Sequence, residues 1–134
     1  LYNMLDGKVY PLLADGDYTW NDAGTELTFK LKSAAKWSDG TPVTAEDVAY
    51  TWASHVKYNT PIGAANADYI EDIVAVDPHT VRLTLTSPNP RYMLDAFGVR
   101  IYGTTMILPK HIWETQDPQT FTNYDLAKGW PVSL

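Results

Sequence analysis

Histidine and carboxylate side chains are the residues of this chain that could carry acid–base or metal chemistry. The three histidines, His55, His79 and His111, are far apart in the sequence and lack the short spacing of metal-ligand pairs. Adjacent carboxylates occur at Glu46-Asp47, where they suit a helix start, and at Glu71-Asp72, where strand neighbours face opposite sides. We therefore expect no enzyme activity, no metal and no cofactor, and a glycosidase-like carboxylate pair is the least favoured alternative.

Aromatic residues are the second chemical feature, because exposed rings can stack on sugars or bases. We predict that Trp37 and Trp52 pack in the core, since Trp37 lies in a tight turn and Trp52 on the apolar face of a helix. Trp113 can bury on a short helix, whereas Trp20 and Trp130 are left open between core and surface. The tryptophans thus support one alternative function, that of an autonomous carbohydrate-binding module.

Composition and charge narrow the function classes further. The 134 residues include ten Lys and Arg against 16 Asp and Glu, which gives a formal net charge of −6, and there is no cysteine. Disulfides and thiol chemistry are therefore excluded, and the scattered basic residues argue against a nucleic-acid partner. No apolar run approaches the roughly 18 residues that would cross a membrane. A chain of this length can bury one core, so we expect one domain.

Alternating apolar and polar residues predict two β-hairpins. The first joins residues 17–21 to residues 26–32 through a turn rich in Asn, Asp and Gly. The second joins residues 70–76 to residues 80–86 and turns at an Asp-Pro-His sequence. These patterns predict at least four strands, each with one apolar face.

Helical patterns lie between and after the hairpins. Residues 45–57 predict a helix whose buried face carries Val48, Trp52 and Val56. Residues 59–66 contain Pro and Gly among small residues and are predicted to be a loop with little packing of its own. Short helices are predicted over residues 92–97 and 109–115. The fold class is therefore α+β, with a small mixed or antiparallel sheet and flanking helices.

The segment 36–48 is the most specific local pattern in the chain. Asp39 can bond its own downstream backbone, and Gly40 tolerates a positive φ, so a turn is predicted there. Thr44 is predicted to cap the following helix by accepting a hydrogen bond from the N–H of Asp47. Together with the upstream strand pattern of residues 27–32, the segment predicts a strand, a tryptophan-bearing turn and a capped helix in that order.

This order of elements resembles one family. The segment reads Lys-Trp-Ser-Asp-Gly-Thr-Pro, then Val, then Thr-Ala-Glu-Asp-Val, and it is similar to the extracellular solute-binding proteins of ABC transporters of the dipeptide/oligopeptide type, family 5. Shorter matches run along the rest of the chain at residues 11–14, Phe29-Lys30-Leu31, residues 81–85 and Leu108-Pro109-Lys110-His111.

The resemblance implies a fold and a place in a larger protein. Members of this family are two-lobed receptors with the type II periplasmic-binding-protein fold of the peptide-binding cluster, and they are several times longer than this chain. We expect residues 1–134 to be a single domain excised from such a receptor. The implied counterpart is the smaller subdomain of the first lobe.

The resemblance also implies a function. It predicts a substrate-binding receptor of an ABC importer that captures a solute outside the cytoplasmic membrane, in the periplasm or anchored on the outer face of the cell. The implied partners are a small-molecule solute, the ABC permease subunits and the remaining lobes of the same chain. A peptide or an oligosaccharide is the expected solute, and nickel or another small molecule stays open.

The loop after the long helix reaches toward the solute in peptide-binding relatives, so the resemblance makes Asn59, Asn66 and Tyr69 the candidate substrate-binding residues. The family's first loop aromatic is missing here, which leaves Tyr69 as its nearest substitute. The alternative reading is that both asparagines serve turn geometry and that Tyr69 packs under the loop.

Overall fold

The computed structural model describes residues 2–5, 8–92 and 106–116, and within these ranges the chain forms two antiparallel sheets and three helices. The strands are β1 (Tyr2–Leu5), β2 (Lys8–Pro11), β3 (Thr19–Trp20), β4 (Glu26–Lys30), β5 (Ile70–Asp77) and β6 (Thr80–Leu85). The helices are α1 (Ala45–Lys57), α2 (Pro61–Asn66) and α3 (Lys110–Trp113). These elements confirm the predicted α+β class and the antiparallel form of the sheet.

The larger sheet has four strands in the order β3-β4-β6-β5. Both predicted hairpins are present, and β4 joins them by pairing with β6. Leu83 lies opposite Leu27 on one side and opposite Ile73 on the other, so apolar residues align across three strands. This apolar face is the centre of the core, because Leu27, Leu83 and Val81 are at most 1% exposed.

Helix α1 packs on β5 and β6, and it has the bounds that its pattern predicts. Ala45 and Val48 are buried in the core cluster. Trp52 is half-buried and packs against that cluster, so the prediction that it is a core residue is only partly confirmed. The prediction for Val56 is wrong, because its side chain is 49% exposed. The buried face of α1 therefore ends before the last helical turn.

The hairpin of β1 and β2 was not predicted. Its register pairs Tyr2 with Pro11 and Leu5 with Lys8, and it forms a separate two-stranded sheet. The sequence does contain a signal for it, since the two strands are separated by Asp6-Gly7, a dipeptide typical of two-residue hairpin turns.

The predicted loop over residues 59–66 is wrong, because most of it is helix α2. The hydroxyl of Thr60 accepts a hydrogen bond from the N–H of Gly63 at 3.1 Å and caps the helix. Pro61 occupies the first turn, where its missing N–H costs nothing. Gly63 is buried against α1, and a methyl group there would collide with the carbonyl oxygen of His55. The small residues thus permit close helix packing rather than a loose loop.

The segment 106–116 contains α3, which begins one residue later and ends two residues earlier than predicted and has Pro109 at the capping position. Of the helix predicted over residues 92–97, only Tyr92 is described, and the other residues lie outside the described ranges, as does Trp130. None of the helices within the described ranges is both long enough and apolar enough to cross a membrane.

Candidate functional site

The turn at the start of segment 36–48 forms as predicted. A carboxylate oxygen of Asp39 accepts from the N–H of Thr41 at 2.8 Å, and Gly40 adopts a φ of 87°. The backbone closes the turn through bonds from Gly40 N–H to the Trp37 carbonyl and from Trp37 N–H to the Thr41 carbonyl. The side chain of Trp37 points inward and is 3% exposed. The prediction that Trp37 packs in the core is therefore confirmed.

The carboxylate of Asp47, in the first turn of α1, accepts hydrogen bonds from the Trp37 turn, from the N-cap and from the start of α3. Its Oδ2 atom accepts from Trp37 Nε1 at 3.2 Å, from the Thr44 N–H at 2.8 Å and from the Thr44 hydroxyl at 3.3 Å. Its Oδ1 atom accepts from the N–H of Lys110 at 2.8 Å. The bond from the Thr44 N–H to the Asp47 carboxylate belongs to a capping box between these two residues, and Thr44 occupies the predicted N-cap position of α1.

The next turn of α1 extends this contact. The hydroxyl of Thr51 donates to the Asp47 carbonyl at 2.6 Å and accepts from the N–H of Leu108 at 2.8 Å. We call the set Trp37, Thr44, Asp47, Thr51, Leu108 and Lys110 the Asp47 network. Asp47 and Thr51 are each 3% exposed, so these bonds are shielded from water. The network joins segment 36–48 and the next turn of α1 to segment 106–116, which contains the family match Leu108-Pro109-Lys110-His111.

Two ion pairs on the surface reinforce the same junction. Lys110 Nζ pairs with the carboxylate of Glu46, and this contact raises the pKa of the Lys110 ammonium. His111 Nε2 lies 2.8 Å from a carboxylate oxygen of Asp39. Hydrogen bonds from His111 and from the backbone of Thr41 lower the pKa of the Asp39 carboxyl to about 2. The polar groups of this region are therefore committed to holding the chain together.

The end of α1 positions the first candidate substrate-binding residue. Asn59 follows the helix with a φ of 47°, the left-handed conformation in which asparagine is common, and its N–H bonds to the Val56 carbonyl. Thr60 then turns the chain into α2, and its hydroxyl lies 2.7 Å from His55 Nδ1. Burial lowers the pKa of the His55 imidazole. The backbone of Asn59 therefore has a clear role in reversing the chain.

The other two candidates, Asn66 and Tyr69, meet at a third residue. Asn66 Nδ2 donates to the Ile62 carbonyl at 2.8 Å, and Asn66 Oδ1 accepts from the hydroxyl of Tyr92 at 2.7 Å. The rings of Tyr69 and Tyr92 form a tilted aromatic pair, with centroids 6.4 Å apart and planes inclined at 37°. We call Asn66, Tyr69 and Tyr92 the Tyr69 cluster. Tyr92 is 4% exposed, whereas Tyr69 is 53% exposed.

Tyr92 is the member of this cluster that the sequence did not indicate. It lies 26 residues from Asn66, and its local pattern suggests only the start of a short helix. The two prolines before it, Pro88 and Pro90, are the nearest sequence signal, because they end β6 and redirect the chain. Within the described residues, no hydrogen bond joins Asn59 to the cluster.

The tryptophans do not form a platform in the described residues. Trp37 is in the core, and Trp20 and Trp52 are half-buried and packed against the core cluster. Trp52 also lines an open groove of about 480 Å³ between α1 and β5. The groove is mostly apolar, with Lys57, Glu71 and Asp72 as its charged lining residues. Trp113 is half-buried on α3.

Comparison with known proteins assigns this arrangement to a family. Residues 8–129 match the family model described as "Bacterial extracellular solute-binding proteins, family 5 Middle". The chain belongs to this family. The match confirms the resemblance carried by segment 36–48, and it spans both segments that the Asp47 network joins.

Two relatives are both named as periplasmic binding proteins, but they are named for different solutes. The chain is 31% identical to the periplasmic oligopeptide-binding protein OppA of Escherichia coli K12, over 99% of this chain and 28% of the relative. It is 33% identical to a periplasmic alpha-galactoside-binding protein of Rhizobium meliloti, over 95% of this chain and 19% of the relative.

A solved structure gives the same result for the fold. A periplasmic oligopeptide-binding protein of Thermotoga maritima, crystallised with bound mannohexaose, matches with a TM-score of 0.69 and 31% identity. The match covers 87% of this chain and 20% of that protein. The chain therefore spans less than a third of its relatives, and its fold is a fragment of the two-lobed receptor fold.

Proposed function

We propose that this chain is one domain of the solute-binding receptor of an ABC importer. The family match over residues 8–129 carries the proposal, and the fold agreement with an oligopeptide-binding protein supports it. The receptor captures a peptide or an oligosaccharide outside the cytoplasmic membrane and delivers it to the permease subunits. Relatives named as periplasmic binding proteins support this location and a role in binding rather than catalysis.

Within the receptor, we assign this domain to the smaller subdomain of the first lobe, where it braces the lobe and forms one wall of the cleft. The Asp47 network supports the bracing role, because it ties the start of α1 to segment 106–116 with shielded bonds. Binding in a two-lobed receptor buries the solute between both lobes. A single domain presents an open wall, on which a solute stays largely hydrated.

The proposed solute-contacting residues are Asn59, Asn66 and Tyr69. Asn59 follows the end of α1, Asn66 is the last residue of α2 and Tyr69 directly precedes β5, so all three lie in the connection between α1 and β5. The Tyr69 cluster supports two of them directly, since Asn66 and Tyr69 both contact Tyr92.

Calorimetric titration tests the proposal against the autonomous carbohydrate-binding module. The isolated chain and the complete receptor that contains it are titrated with trialanine and with mannohexaose. We expect the receptor to bind at least one probe and the isolated chain to bind neither at up to about 1 mM, which corresponds to about 4 kcal/mol. Micromolar binding of mannohexaose by the isolated chain would instead establish an autonomous module.

A further inference from the structure

The end of α1 and the start of α2 meet at two residues, His55 and Thr60. His55 Nδ1 lies 2.7 Å from the hydroxyl oxygen of Thr60, and that oxygen also accepts from the N–H of Gly63 at 3.1 Å. The carbonyl of His55 accepts from the N–H of Thr60 at 3.1 Å. Gly63 is buried so close to the same carbonyl that a methyl group there would collide with it. The contact between His55 and Thr60 therefore joins the two helices where they approach each other closely.

The hydroxyl of Thr60 has a single proton, and its neighbours decide which acceptor receives it. The two acceptors near it in the described part of the chain are His55 Nδ1 at 2.7 Å and the His55 carbonyl oxygen at 3.5 Å. The shorter bond is much the stronger, and the carbonyl already accepts from the N–H of Thr60, so the hydroxyl donates to Nδ1. Nδ1 can accept only when it carries no proton, and the imidazole is therefore neutral with its proton on Nε2.

A second proton on the imidazole would reverse this bond. Nδ1–H would then donate to the Thr60 oxygen, which already accepts from Gly63, and the hydroxyl proton would be left with the carbonyl at 3.5 Å. A positive charge would also lie beside the N–H of Gly63, which points at the same oxygen. We propose that His55 and Thr60 form a pH-sensitive clamp, which holds α2 against α1 while the imidazole is neutral and loosens when the imidazole gains a proton.

The surroundings of His55 favour the neutral imidazole. Its position in the last turn of α1 favours a positive charge, but burial lowers the pKa of the imidazole, so burial outweighs the helix dipole. Helix α2 has no ionisable side chain. The other elements that pack on α1 carry these ionisable residues: Glu71, Asp72 and Asp77 on β5, Arg82 on β6, and Lys110 and His111 on α3.

None of these groups pairs with a charged imidazole at His55 within the described residues. The two on α3 pair with carboxylates at or before the opposite end of α1, and Asp77 precedes a turn that bonds to the first residue of α1. Arg82 projects from the other face of the sheet, because its neighbours in β6 are buried in the core. The remaining two carboxylates of β5 line the groove beside Trp52, and the Lys57 ammonium in that groove lies over the ring of the next residue.

The clamp acts on the connection between α1 and β5. Because the pKa of the folded state lies below the ordinary value of 6.5, the clamp contributes its full stability above that pH and loses it as the pH falls through the folded pKa. In the complete receptor this connection carries the three proposed solute-contacting residues, so its order would follow the pH outside the cytoplasmic membrane. That consequence rests on the proposed function, whereas the clamp itself does not.

NMR spectroscopy of the 134-residue chain tests the clamp without any solute. At about pH 7.5 we expect the ring nitrogens of His55 to show a proton on Nε2 and none on Nδ1. The key variant is His55→Asn, because the asparagine oxygen can replace Nδ1 as an acceptor but does not titrate. We expect hydrogen exchange at the Gly63 N–H to agree within about twofold between wild type and this variant at about pH 7.5, and to be about three- to tenfold faster in wild type at about pH 4.5, as for the loss of one hydrogen bond.

Two control variants separate the clamp from other effects of acid. Thr60→Ser keeps the hydroxyl and should follow wild type at both pH values. His79→Asn removes a different histidine, in the turn between β5 and β6, and should also follow wild type.

A proton on Nδ1 in the neutral imidazole would overturn the direction of the bond and with it the clamp. A ratio of Gly63 exchange rates between wild type and His55→Asn that is the same at both pH values would overturn the pH sensitivity. If His55→Asn does not fold, titration of wild type decides: a Gly63 amide shift with the same midpoint as the His55 ring supports the clamp, and one that does not change through that midpoint overturns it. Because no solute is used, failure here leaves the proposed function intact, and failure of the calorimetric titration leaves the clamp intact.

Discussion

The Asp47 network and the Tyr69 cluster both join residues that are distant in sequence. They differ in exposure, because the first buries its central side chain and the second leaves an aromatic side chain half exposed. Asp47 is 3% exposed, and its carboxylate accepts hydrogen bonds from Trp37, Thr44 and Lys110. In the Tyr69 cluster, Tyr92 is buried and its hydroxyl bonds to Asn66, but the side chain of Tyr69 is 53% exposed. The difference teaches that the polar residues of the family pattern hold the fold, whereas the candidate contact with solute is an aromatic residue outside that pattern.

Physical cost explains this division. A buried carboxylate is strongly unfavourable unless its oxygens are satisfied, so a site such as Asp47 is stable only when all its donors are present together. The Tyr69 cluster carries no charge, and a partly exposed ring costs little in the unliganded protein. Changes in the first region should therefore affect stability, and changes in the second should affect binding.

The largest effect is expected for Asp47→Asn. The substitution keeps the shape but replaces one acceptor oxygen with a donor that faces other donors, and we expect it to lower the free energy of unfolding by about 2–3 kcal/mol. Urea denaturation of the chain measures this. The neighbouring exposed carboxylate provides the control, because Glu46→Gln should change stability by less than about 0.5 kcal/mol. Wild-type stability in Asp47→Asn would show that the network does not hold the fold.

A smaller effect is expected where α2 meets α1, beside the Tyr69 cluster. In Gly63→Ala the new methyl group would collide with the backbone carbonyl of His55. Because a backbone carbonyl cannot rotate away as a side chain can, the two helices must separate. We expect a loss of about 1–3 kcal/mol in the free energy of unfolding. Ala64→Ser changes the exposed residue next to it and should be neutral. A Gly63→Ala variant that melts like wild type would mean that the two helices are not in close contact.

The smallest effect is expected for Asp39, a surface residue beside the Asp47 network, and concerns how the melting temperature depends on pH. The pKa of Asp39 is lowered to about 2 from 3.8, so its bonds to His111 and Thr41 stabilise the fold above pH 4 and are lost as the pH falls toward 2. Thermal melting of wild type and Asp39→Asn should therefore differ at pH 5 and converge near pH 2. The control is Asp22→Asn, in the turn between β3 and β4, which should leave the melting temperature unchanged at both pH values. A difference that grows on acidification would contradict the assignment.

Local patterns were sufficient for most elements of the sheet and for the long helix. The bounds of α1 follow from Thr44, the acidic first turn and the apolar spacing after it, all of which act within a few residues. The alternation in β4 and β6 predicted both strands and the buried face shared by Leu27 and Leu83. The same local logic fails at α2, because Pro and Gly among small residues are typical of a loop, whereas here Thr60 and Pro61 provide a helix start.

The sequence by itself determined the family, the α+β class and the positions of the principal elements, because each depends on neighbours in the chain. The tertiary structure decided which side chains meet. Asp47 bonds to a backbone 63 residues away, His111 to a carboxylate 72 residues away, and Asn66 to a hydroxyl 26 residues away. No periodicity links residues at such distances, since their contact depends on how the sheet and helices pack. For that reason the sequence could suggest Tyr69 as a candidate site residue, but it could not show that the ring of Tyr92 lies beside it.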